Sequence, residues 1–362
     1  MKKMMKSHTL LLMVFISSAI IIGSCKKDST TTPADKTVYT KLLVSADSLA
    51  TAAKSTDYPQ TNIDDYKATL TTVKTAAVST TLTQTQVDNL VVQLTAAMTL
   101  FKSKAYSYID ESLYLIAGWH FDEGTGTTAT SFSTAKQVAT FTKGWTTLLG
   151  TSAALPTWVA GIKGGKAVYL DKGAHLEVPY SPSFLPANIS ISAWIKNDEQ
   201  GWENNCIVSQ NYWWGYKFQT QSAGKPLLTE RINATNVQDY DAVDGIVAPL
   251  VWTHVVVSLN STTKTLKFFI NGVLIHTYAA VDNVGPLTQT LSFIDGTNTY
   301  TAQPFLIGSF ATDAEIAAKP GNFNWITTAN VASFKGAIDE LKIYNTDLSD
   351  GQVGKLYSVE KP

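Results

Sequence analysis

Apolar residues between Val38 and Ala105 recur at helical spacing in three stretches that polar residues separate. Residues three and four positions apart share one face of a helix, so each stretch predicts one amphipathic helix. Thr83 and Gln86 can form a capping box that opens the third helix, because each side chain can satisfy a backbone N–H group of the other residue. The pattern predicts a three-helix bundle over residues 38–105. Its stripes are Leu42, Ala46, Leu49 and Ala53; Ile63, Tyr66, Leu70, Val73 and Ala77; and Val87, Leu90, Leu94, Ala97 and Phe101.

From about Leu113 the pattern changes to short runs rich in Val, Ile, Thr, Trp and Tyr, which Gly, Asn, Asp and Pro residues separate. Strand alternation over residues 188–196 places four apolar side chains on one face. Asn271 and Gly272 predict the tight turn of a hairpin. The fold class is therefore predicted as mainly β, a two-sheet antiparallel jelly-roll sandwich over residues 110–362, closed by one helix at residues 349–357. The four apolar residues are Ile189, Ile191, Ala193 and Ile195.

The first residues have the pattern of an export signal. Three lysines precede a largely apolar run at residues 10–22, which is shorter than the ~20 residues of a transmembrane helix. Residues 22–25 (IGSC) resemble the lipobox of bacterial lipoproteins, which implies that residues 1–24 are removed and that Cys25 is lipidated. An ordinary secretory signal with an incidental cysteine is the alternative.

The residues after Cys25 indicate a tether and an outward location. Residues 25–37 are polar and lack apolar periodicity, as a flexible segment would. Residues 26–28 (KKD) resemble in part the surface-export tag of some Gram-negative lipoproteins. Together these features predict an outer-membrane lipoprotein that is held by its lipid anchor and faces the cell exterior.

Charge and cysteine content narrow the possible functions. The chain has 28 basic and 29 acidic residues, so no basic stripe for nucleic acid is expected. Of the two cysteines, Cys25 is assigned to lipid, which leaves Cys206 without a disulfide partner. The exported chain must therefore be stabilised by its hydrophobic cores rather than by disulfides.

The helical segment is similar to the FIVAR repeat of bacterial surface proteins. A tyrosine after the first helix, an Ala/Thr-rich second helix and the run LTQTQVD at residues 82–88 carry this loose resemblance. The apolar stripes contain no histidine or clustered carboxylate. A spacer that lifts the next domain from the membrane is therefore favoured over a ligand-binding module.

Five motifs in the β-rich part resemble, in the same order, those of laminin-G-like domains of the concanavalin A-like superfamily. The resemblance covers about Leu113 to Tyr357 and implies two antiparallel sheets of six or seven strands, one of them concave. It also implies that His120 and His254, which lie inside the motifs, are packed rather than catalytic. The motifs are GWHFDEGTG (118–126), GKAVYLD (165–171), ISAWI (191–195), WTHV (252–255) with NG (271–272), and FKGAIDELKIYN (334–345).

The same resemblance implies a structural calcium ion. Relatives often hold one calcium through backbone carbonyls near the first strand and a carboxylate late in the chain. The matching positions are Asp122 or Glu123, the carbonyls of Gly164 and Gly165, and Asp339. Calcium takes about six to eight oxygen ligands. The alternative is that Asp122 and Asp339 accept hydrogen bonds from backbone N–H groups where the chain ends meet.

Aromatic residues concentrate at residues 202–216. Sugar rings stack on aromatic faces while amide and guanidinium groups bind their hydroxyls, so this segment predicts a glycan groove. Strand alternation would place Trp214 and Tyr216 on one face and Trp213 and Lys217 on the other, with packing in the core as the alternative. Polar residues of the next predicted strand, including Glu230, would add contacts if the two strands are neighbours. The candidate glycan-binding residues are Trp202, Trp213, Trp214, Tyr216, Asn211 and Arg231.

Acidic residues elsewhere do not match a known catalytic or calcium motif. Glycosidases of the laminarinase type carry Glu-x-Asp-x-x-Glu on one strand, and the nearest acidic cluster, at residues 198–203, has the composition of a loop. Asp239, Asp241 and Asp244 lack the spacing of an EF-hand and predict a solvated loop. These patterns favour a protein without catalytic activity.

The sequence thus predicts a surface lipoprotein whose laminin-G-like domain binds a polysaccharide or another glycan. A protein-binding adhesin or scaffold is the first alternative, and a glycoside hydrolase with an unrecognised carboxylate pair is the second. The expected partners are the glycan, the outer membrane through the lipid anchor and neighbouring glycan-import proteins, with no nucleic acid.

Overall fold

The structure is a computed structural model that describes residues 33–199, 205–211, 214–233, 236–279, 303–318, 320–324, 326 and 333–362. The signal segment, Cys25 and the start of the tether lie outside these residues, as do Trp202 and Trp213. Two antiparallel β-sheets form a sandwich of the jelly-roll type, and helices precede them. The predicted fold class is confirmed.

Three helices form the N-terminal segment, and they are α1 Thr37–Ala52, α2 Gln60–Ala77 and α3 Gln84–Lys102. Their apolar stripes pack together, and the rings of Tyr66 and Phe101 stack with centroids 4.6 Å apart. The predicted capping box is present, because Gln86 N donates to Thr83 Oγ1 at 3.3 Å and Thr83 N donates to Gln86 Oε1 at 2.8 Å. No helix in the described ranges is long and apolar enough to cross a membrane.

Four further α-helices and sixteen strands follow in the described part of the chain. The helices are α4 Glu111–Tyr114, α5 Thr146–Leu149, α6 Asp313–Ala318 and α7 Asp350–Glu360. The strands are β1 Leu115–Trp119, β2 Thr128–Thr130, β3 Val138–Thr142, β4 Thr157–Ala160, β5 Lys166–Leu170, β6 His175–Val178, β7 Ile189–Asn197, β8 Asn205–Gln210, β9 Tyr216–Thr220, β10 Pro226–Asn233, β11 Asn236–Asp241, β12 Thr253–Asn260, β13 Thr265–Ile270, β14 Val273–Tyr278, β15 Phe305–Ile307 and β16 Gly336–Tyr344.

Each sheet holds eight strands within these residues, which is wider than the six or seven that the resemblance implies. Sheet A has the order β14, β13, β12, β7, β16, β5 and β4, and β1 also pairs with β16. Sheet B has the order β11, β10, β9, β8, β15, β6, β3 and β2. Sheet A gains a strand because β16 pairs with β5 at one end and with β1 at the other, on either side of a bulge after Asp339.

The main core lies between the sheets and consists of alternate residues of both. The four apolar residues predicted to share one face of β7 all belong to it. The opposite face of β7 is buried as well, because α7 packs across the outer side of sheet A through Val353 and Leu356. The predicted hairpin turn is present, with φ values of 50° at Asn271 and 75° at Gly272, the left-handed conformation that such two-residue turns require.

Helix α7 also contacts the helical segment. Lys355 Nζ donates to Thr56 O and lies 3.2 Å from Asp57 Oδ1. Ser358 Oγ donates to the same Thr56 O at 3.2 Å, and Tyr106 N donates to Asp57 O at 2.8 Å. The loop between α1 and α2 therefore lies directly on the helix that closes the sandwich.

Candidate functional site

The outer face of sheet B, which points away from the core, carries a row of polar side chains. Phe218 and Leu228 face the core, so strand alternation places the residues next to them on the outer face. We call the row the outer polar row, and its members, opposite one another on β8 to β11, are Ser209, Lys217, Thr229 and Asp239.

Hydrogen bonds hold this row in place. Ser209 Oγ donates to Ser309 O at 2.9 Å, and Thr229 Oγ1 donates to an Asp239 carboxylate oxygen. Asp239 lies on strand β11 and not in the predicted loop, although it is exposed to solvent as predicted. Strand pairing to β10 is the reason, because it draws Asp239 into the sheet register.

Lys217 is the cation of the outer polar row, and its side chain is almost wholly buried. Burial lowers its pKa to about 8, although the nearby Cys206 and Asp239 act in the opposite direction. Cys206 is itself buried, and burial raises the pKa of its thiol to about 12. The thiol is therefore protonated at neutral pH and is not a reactive nucleophile.

Asn211, Trp214 and Gly215 lie between β8 and β9, and their backbone geometry determines where Trp214 points. Asn211 has φ of 64°, and Trp214 N donates to Asn211 O at 2.9 Å. A Cβ atom at Gly215 would lie 2.0 Å from Gln210 O, so only glycine allows this approach. Because these residues do not lie in a strand, the alternation predicted through Trp214 does not hold.

Trp214 lies on the outer side of sheet B, opposite to the prediction that it shares a face with Tyr216. It packs against a buried apolar cluster that includes Trp145, Cys206 and Phe310. Arg231, on β10, places its Cζ atom 5.6 Å from the centroid of the Trp214 ring, within the range of a cation–π contact. Trp214 and Arg231 therefore form one unit, and we call it the Trp214–Arg231 pair.

Tyr216 is a correction to the predicted glycan-binding set. Its side chain is 0% exposed and lies in the core between the sheets. Its hydroxyl donates to Phe184 O at 2.9 Å, which satisfies the polar atom inside the core. Tyr216 cannot stack on a ligand, and the alternative of core packing holds for this ring. Asn211 is also nearly buried, at 3% exposure.

Glu230 pairs with Tyr216, which confirms that β10 is the neighbour of β9. Its carboxyl group is 0% exposed on the core side and has no hydrogen-bond partner among the described residues. Burial raises the pKa of Glu230 to about 8. The sequence placed Glu230 at the ligand site, and alternation from Leu228 was the signal that would have placed it in the core.

The structure brings the three predicted calcium-site residues together at the turn between β4 and β5. Lys166 N donates to Asp122 Oδ1 at 2.7 Å, and a Cβ atom at Gly165 would lie 2.0 Å from that same oxygen. Ile162 N donates to Asp339 Oδ2 and Glu340 N donates to Asp339 Oδ1, both at 2.8 Å. The two carboxylates thus act as acceptors for backbone N–H groups.

This donor set does not by itself fit a calcium ion. Calcium needs about six to eight oxygen ligands, and three of the four oxygens of Asp122 and Asp339 are already bonded to N–H groups. No group of three or more His, Cys, Asp or Glu residues suited to a metal is found within the described residues. Calcium stays a prediction, and an unfolding temperature that EGTA leaves unchanged would contradict it.

Of the two motif histidines, His254 is packed as predicted, whereas His120 is exposed at the surface. His254 is buried under α7 with Nε2 at 2.8 Å from Ser192 Oγ, and burial lowers its pKa to about 3. His120 stacks on Phe132 with centroids 4.2 Å apart, and its Nδ1 lies 2.9 Å from Glu340 Oε2. The hydrogen bond to Glu340 raises the pKa of His120.

Comparison with known structures finds similar folds at low identity. The first is domain 4 of AbnA, a GH43 extracellular arabinanase from Geobacillus stearothermophilus, in complex with arabinotriose. It is 20% identical to this chain, with a TM-score of 0.46. The match covers 67% of this chain and 97% of that chain. The second is a structure of botulinum neurotoxin type C, whose cell entry depends on interaction with two ganglioside molecules. It is 12% identical, the match covers 69% of this chain and 52% of that chain, and the TM-score is 0.44. The binding domain of botulinum neurotoxin DC in complex with SialylT is 13% identical, with coverages of 69% and 52% and a TM-score of 0.45.

Sequence comparison gives one family match. None of the curated protein sequences matches this chain. The family model described as the concanavalin A-like lectin/glucanases superfamily matches residues 170–312, which include the outer polar row and the Trp214–Arg231 pair. Over residues 170–312 the chain is therefore similar to the concanavalin A-like lectin/glucanases superfamily.

Proposed function

We propose that this protein binds a glycan on the outer face of sheet B without catalysing a reaction on it. The observation that carries the proposal is the Trp214–Arg231 pair, a partly exposed guanidinium held over an indole ring beside the outer polar row. A planar ring, a guanidinium and several hydroxyl and amine groups on one face are the groups that recognise sugars.

The acidic residues favour binding over hydrolysis. Glu230 has the raised pKa of a general acid, but its carboxyl group faces the core and cannot touch a substrate. Asp239 and Asp241 occupy alternate positions of β11, which is the arrangement that a glycosidase would use. Thr229 binds Asp239, however, and Gln221 Nε2 donates to Asp241 Oδ2 at 2.6 Å. Both carboxylates are thus held by neighbouring side chains.

The glycan-binding proposal is tested with the full chain carrying Cys25→Ser, so that no lipid is attached. We expect at least one polysaccharide of a plant and host panel to retard the protein in affinity electrophoresis. Trp214→Leu should weaken that binding, because it removes the ring that supports Arg231, whereas Trp158→Leu on sheet A serves as the matched control. Binding to none of the panel would contradict the proposal, and release of reducing ends would contradict the absence of catalysis.

We also propose that the protein is a lipoprotein of the outer membrane, anchored at Cys25, facing the cell exterior and working beside glycan-import proteins. The helical segment α1 to α3 would act as its spacer. The support is the sequence of the signal segment and the polar residues that follow it. A diacylated or triacylated cysteine anchors a protein stably, since each buried methylene contributes about 0.8 kcal/mol.

The anchor is tested by metabolic labelling with a radioactive fatty acid. We expect the wild-type protein to be labelled and Cys25→Ser to lose the label. Cys206→Ser is the control and should keep it, because Cys206 is buried in the apolar cluster on the outer side of sheet B. Label that persists in Cys25→Ser would show that the lipobox assignment is wrong, and resistance of the protein to protease added to intact cells would contradict the outward location.

A further inference from the structure

Arg231 is the only arginine in the 362-residue sequence, since every other basic residue is a lysine. Lysine supplies a compact charge, whereas arginine supplies a planar fork of N–H donors that matches a carboxylate in two places at once. The one position at which the chain uses this fork is on the outer face of sheet B, in the Trp214–Arg231 pair.

The charge of Arg231 is not compensated within the described residues. It forms no ion pair with any of them, and its Nε atom is buried without a hydrogen-bond partner there. Burial lowers the pKa of Arg231, and no acidic group of the described residues acts to raise it. A partly buried cation without an anion is costly, so such a site gains when an anion arrives.

Lys342 provides an internal comparison. It is a buried cation of sheet A, and two carboxylates bind it, Glu340 Oε2 at 2.7 Å and Glu360 Oε1 at 2.5 Å. The same protein therefore neutralises a buried cation from within where the cation serves the fold. Arg231 has no such arrangement among the described residues, which suggests that its anion comes from outside the chain.

The surroundings of Arg231 reinforce this asymmetry. Thr229 and Arg231 are alternate residues on β10 and share the outer face, and Lys217 stands opposite Thr229 on β9. A second cation thus lies diagonally next to Arg231. Asp239 lies diagonal to Arg231 on the other side, on β11, but its carboxylate accepts a hydrogen bond from Thr229 and forms no ion pair with Arg231.

We propose that this face selects glycans whose sugars carry a carboxylate, such as uronic acids, and that Arg231 binds that carboxylate through the N–H groups of its two terminal nitrogens. The inference rests on the proposed glycan-binding function. Trp214 is a positioning residue in this arrangement, because it supports the guanidinium and keeps the fork directed outward. A uronic acid is ionised at neutral pH and presents two oxygens in a plane, as the fork requires.

The test compares polygalacturonate with fully methyl-esterified homogalacturonan, which has the same sugar backbone without the charge. We expect the full Cys25→Ser chain to bind polygalacturonate roughly tenfold more tightly or better, the effect of one charge-assisted pair. Dextran sulfate is a third arm, since sulfate also carries anionic oxygens, and it should bind more weakly than polygalacturonate.

Variants of Arg231 provide the second arm. Arg231→Gln should bind polygalacturonate no better than the methyl ester, and Arg231→Lys should keep only part of the difference because it retains the charge but not the fork. Lys225→Gln is the control, as Lys225 lies 3.9 Å from its own partner Asp241. Thermal unfolding of each variant checks that the fold is intact. The comparison of polygalacturonate with its methyl ester uses the chain that keeps Arg231, so it does not depend on whether a variant folds.

The outcomes separate this inference from the proposed function. Equal binding of the charged and esterified polymers would overturn carboxylate selection but leave glycan binding in place. Dextran sulfate binding as tightly as polygalacturonate would overturn selection for the carboxylate in favour of any anion. Binding to no polysaccharide of the wider panel would overturn both.

Discussion

Replacing Glu230 with glutamine should remove a fall in the free energy of unfolding that the wild-type protein shows as pH rises from about 4.5 to about 8. Burial without a partner raises the pKa of Glu230 from 4.5 to about 8. Between these values the folded protein holds a proton at this carboxyl group that the unfolded chain has lost. Stability therefore decreases by about 1.4 kcal/mol per pH unit through this window and is constant above it.

The size of the effect follows from the same linkage. A glutamine side chain is uncharged at every pH, so at pH 8 and above Glu230→Gln should be more stable than the wild type by about 3 to 5 kcal/mol. Near pH 4.5 the two proteins should be alike. Denaturant unfolding at a series of pH values gives the free energy of unfolding of both proteins. The difference between the two free energies cancels the contributions of the other titrating groups, which both proteins share.

Glu199→Gln is the matched control, because Glu199 lies at the surface in an ion pair with Lys335. Its difference profile against the wild type should be nearly flat, as exposed ion pairs contribute only about 0 to 1 kcal/mol. A flat profile for Glu230→Gln as well would mean that the carboxyl group of Glu230 is not buried in solution. That result would also contradict the position of the Glu230 side chain on the core side of β10.

Replacing Lys342 with methionine should destabilise the protein by about 3 to 5 kcal/mol, the cost of breaking a buried ion pair by removing one partner. Lys342 is buried between sheet A and α7, where Glu340 and Glu360 bind it at 2.7 and 2.5 Å. Trp194 Nε1 donates to the second oxygen of Glu360 at 2.9 Å, which fixes that carboxylate against the sheet. Without the cation, the buried carboxyl group of Glu360 and the half-buried one of Glu340 would face each other, and the end of α7 would lose its attachment.

Lys267→Met is the control for this prediction. Lys267 also lies on sheet A and binds a carboxylate of α7, Asp350 Oδ1 at 2.8 Å, but this pair lies at the surface. Its loss should cost about 0 to 1 kcal/mol. Adding Glu340→Gln and Glu360→Gln to Lys342→Met should recover part of the stability. Equal losses for the two lysine variants would contradict the idea that burial makes the Lys342 network important.

The predicted site residues show where reasoning from sequence stops. The alternation rule failed at Trp214 because a turn with Asn211 at positive φ interrupts the strand, and nothing in the local pattern of aromatic residues distinguishes a turn from a strand there. It would have succeeded at Glu230 and Tyr216, which lie in regular strands. Asp122, Gly165 and Asp339 were grouped only through the family resemblance, and pairing of distant strands brings them to one turn.

The sequence by itself determined the helices of the N-terminal segment, the capping box at Thr83, the hairpin turn at Asn271 and the two-sheet sandwich. These features depend on the period of apolar residues and on turn chemistry, which act between residues close in the chain. Only the tertiary structure decided that Tyr216 and Glu230 are buried, that Lys342 has two carboxylates and that Arg231 has none among the described residues. Burial and charge compensation depend on groups far apart in sequence, and a sequence pattern does not contain those distances.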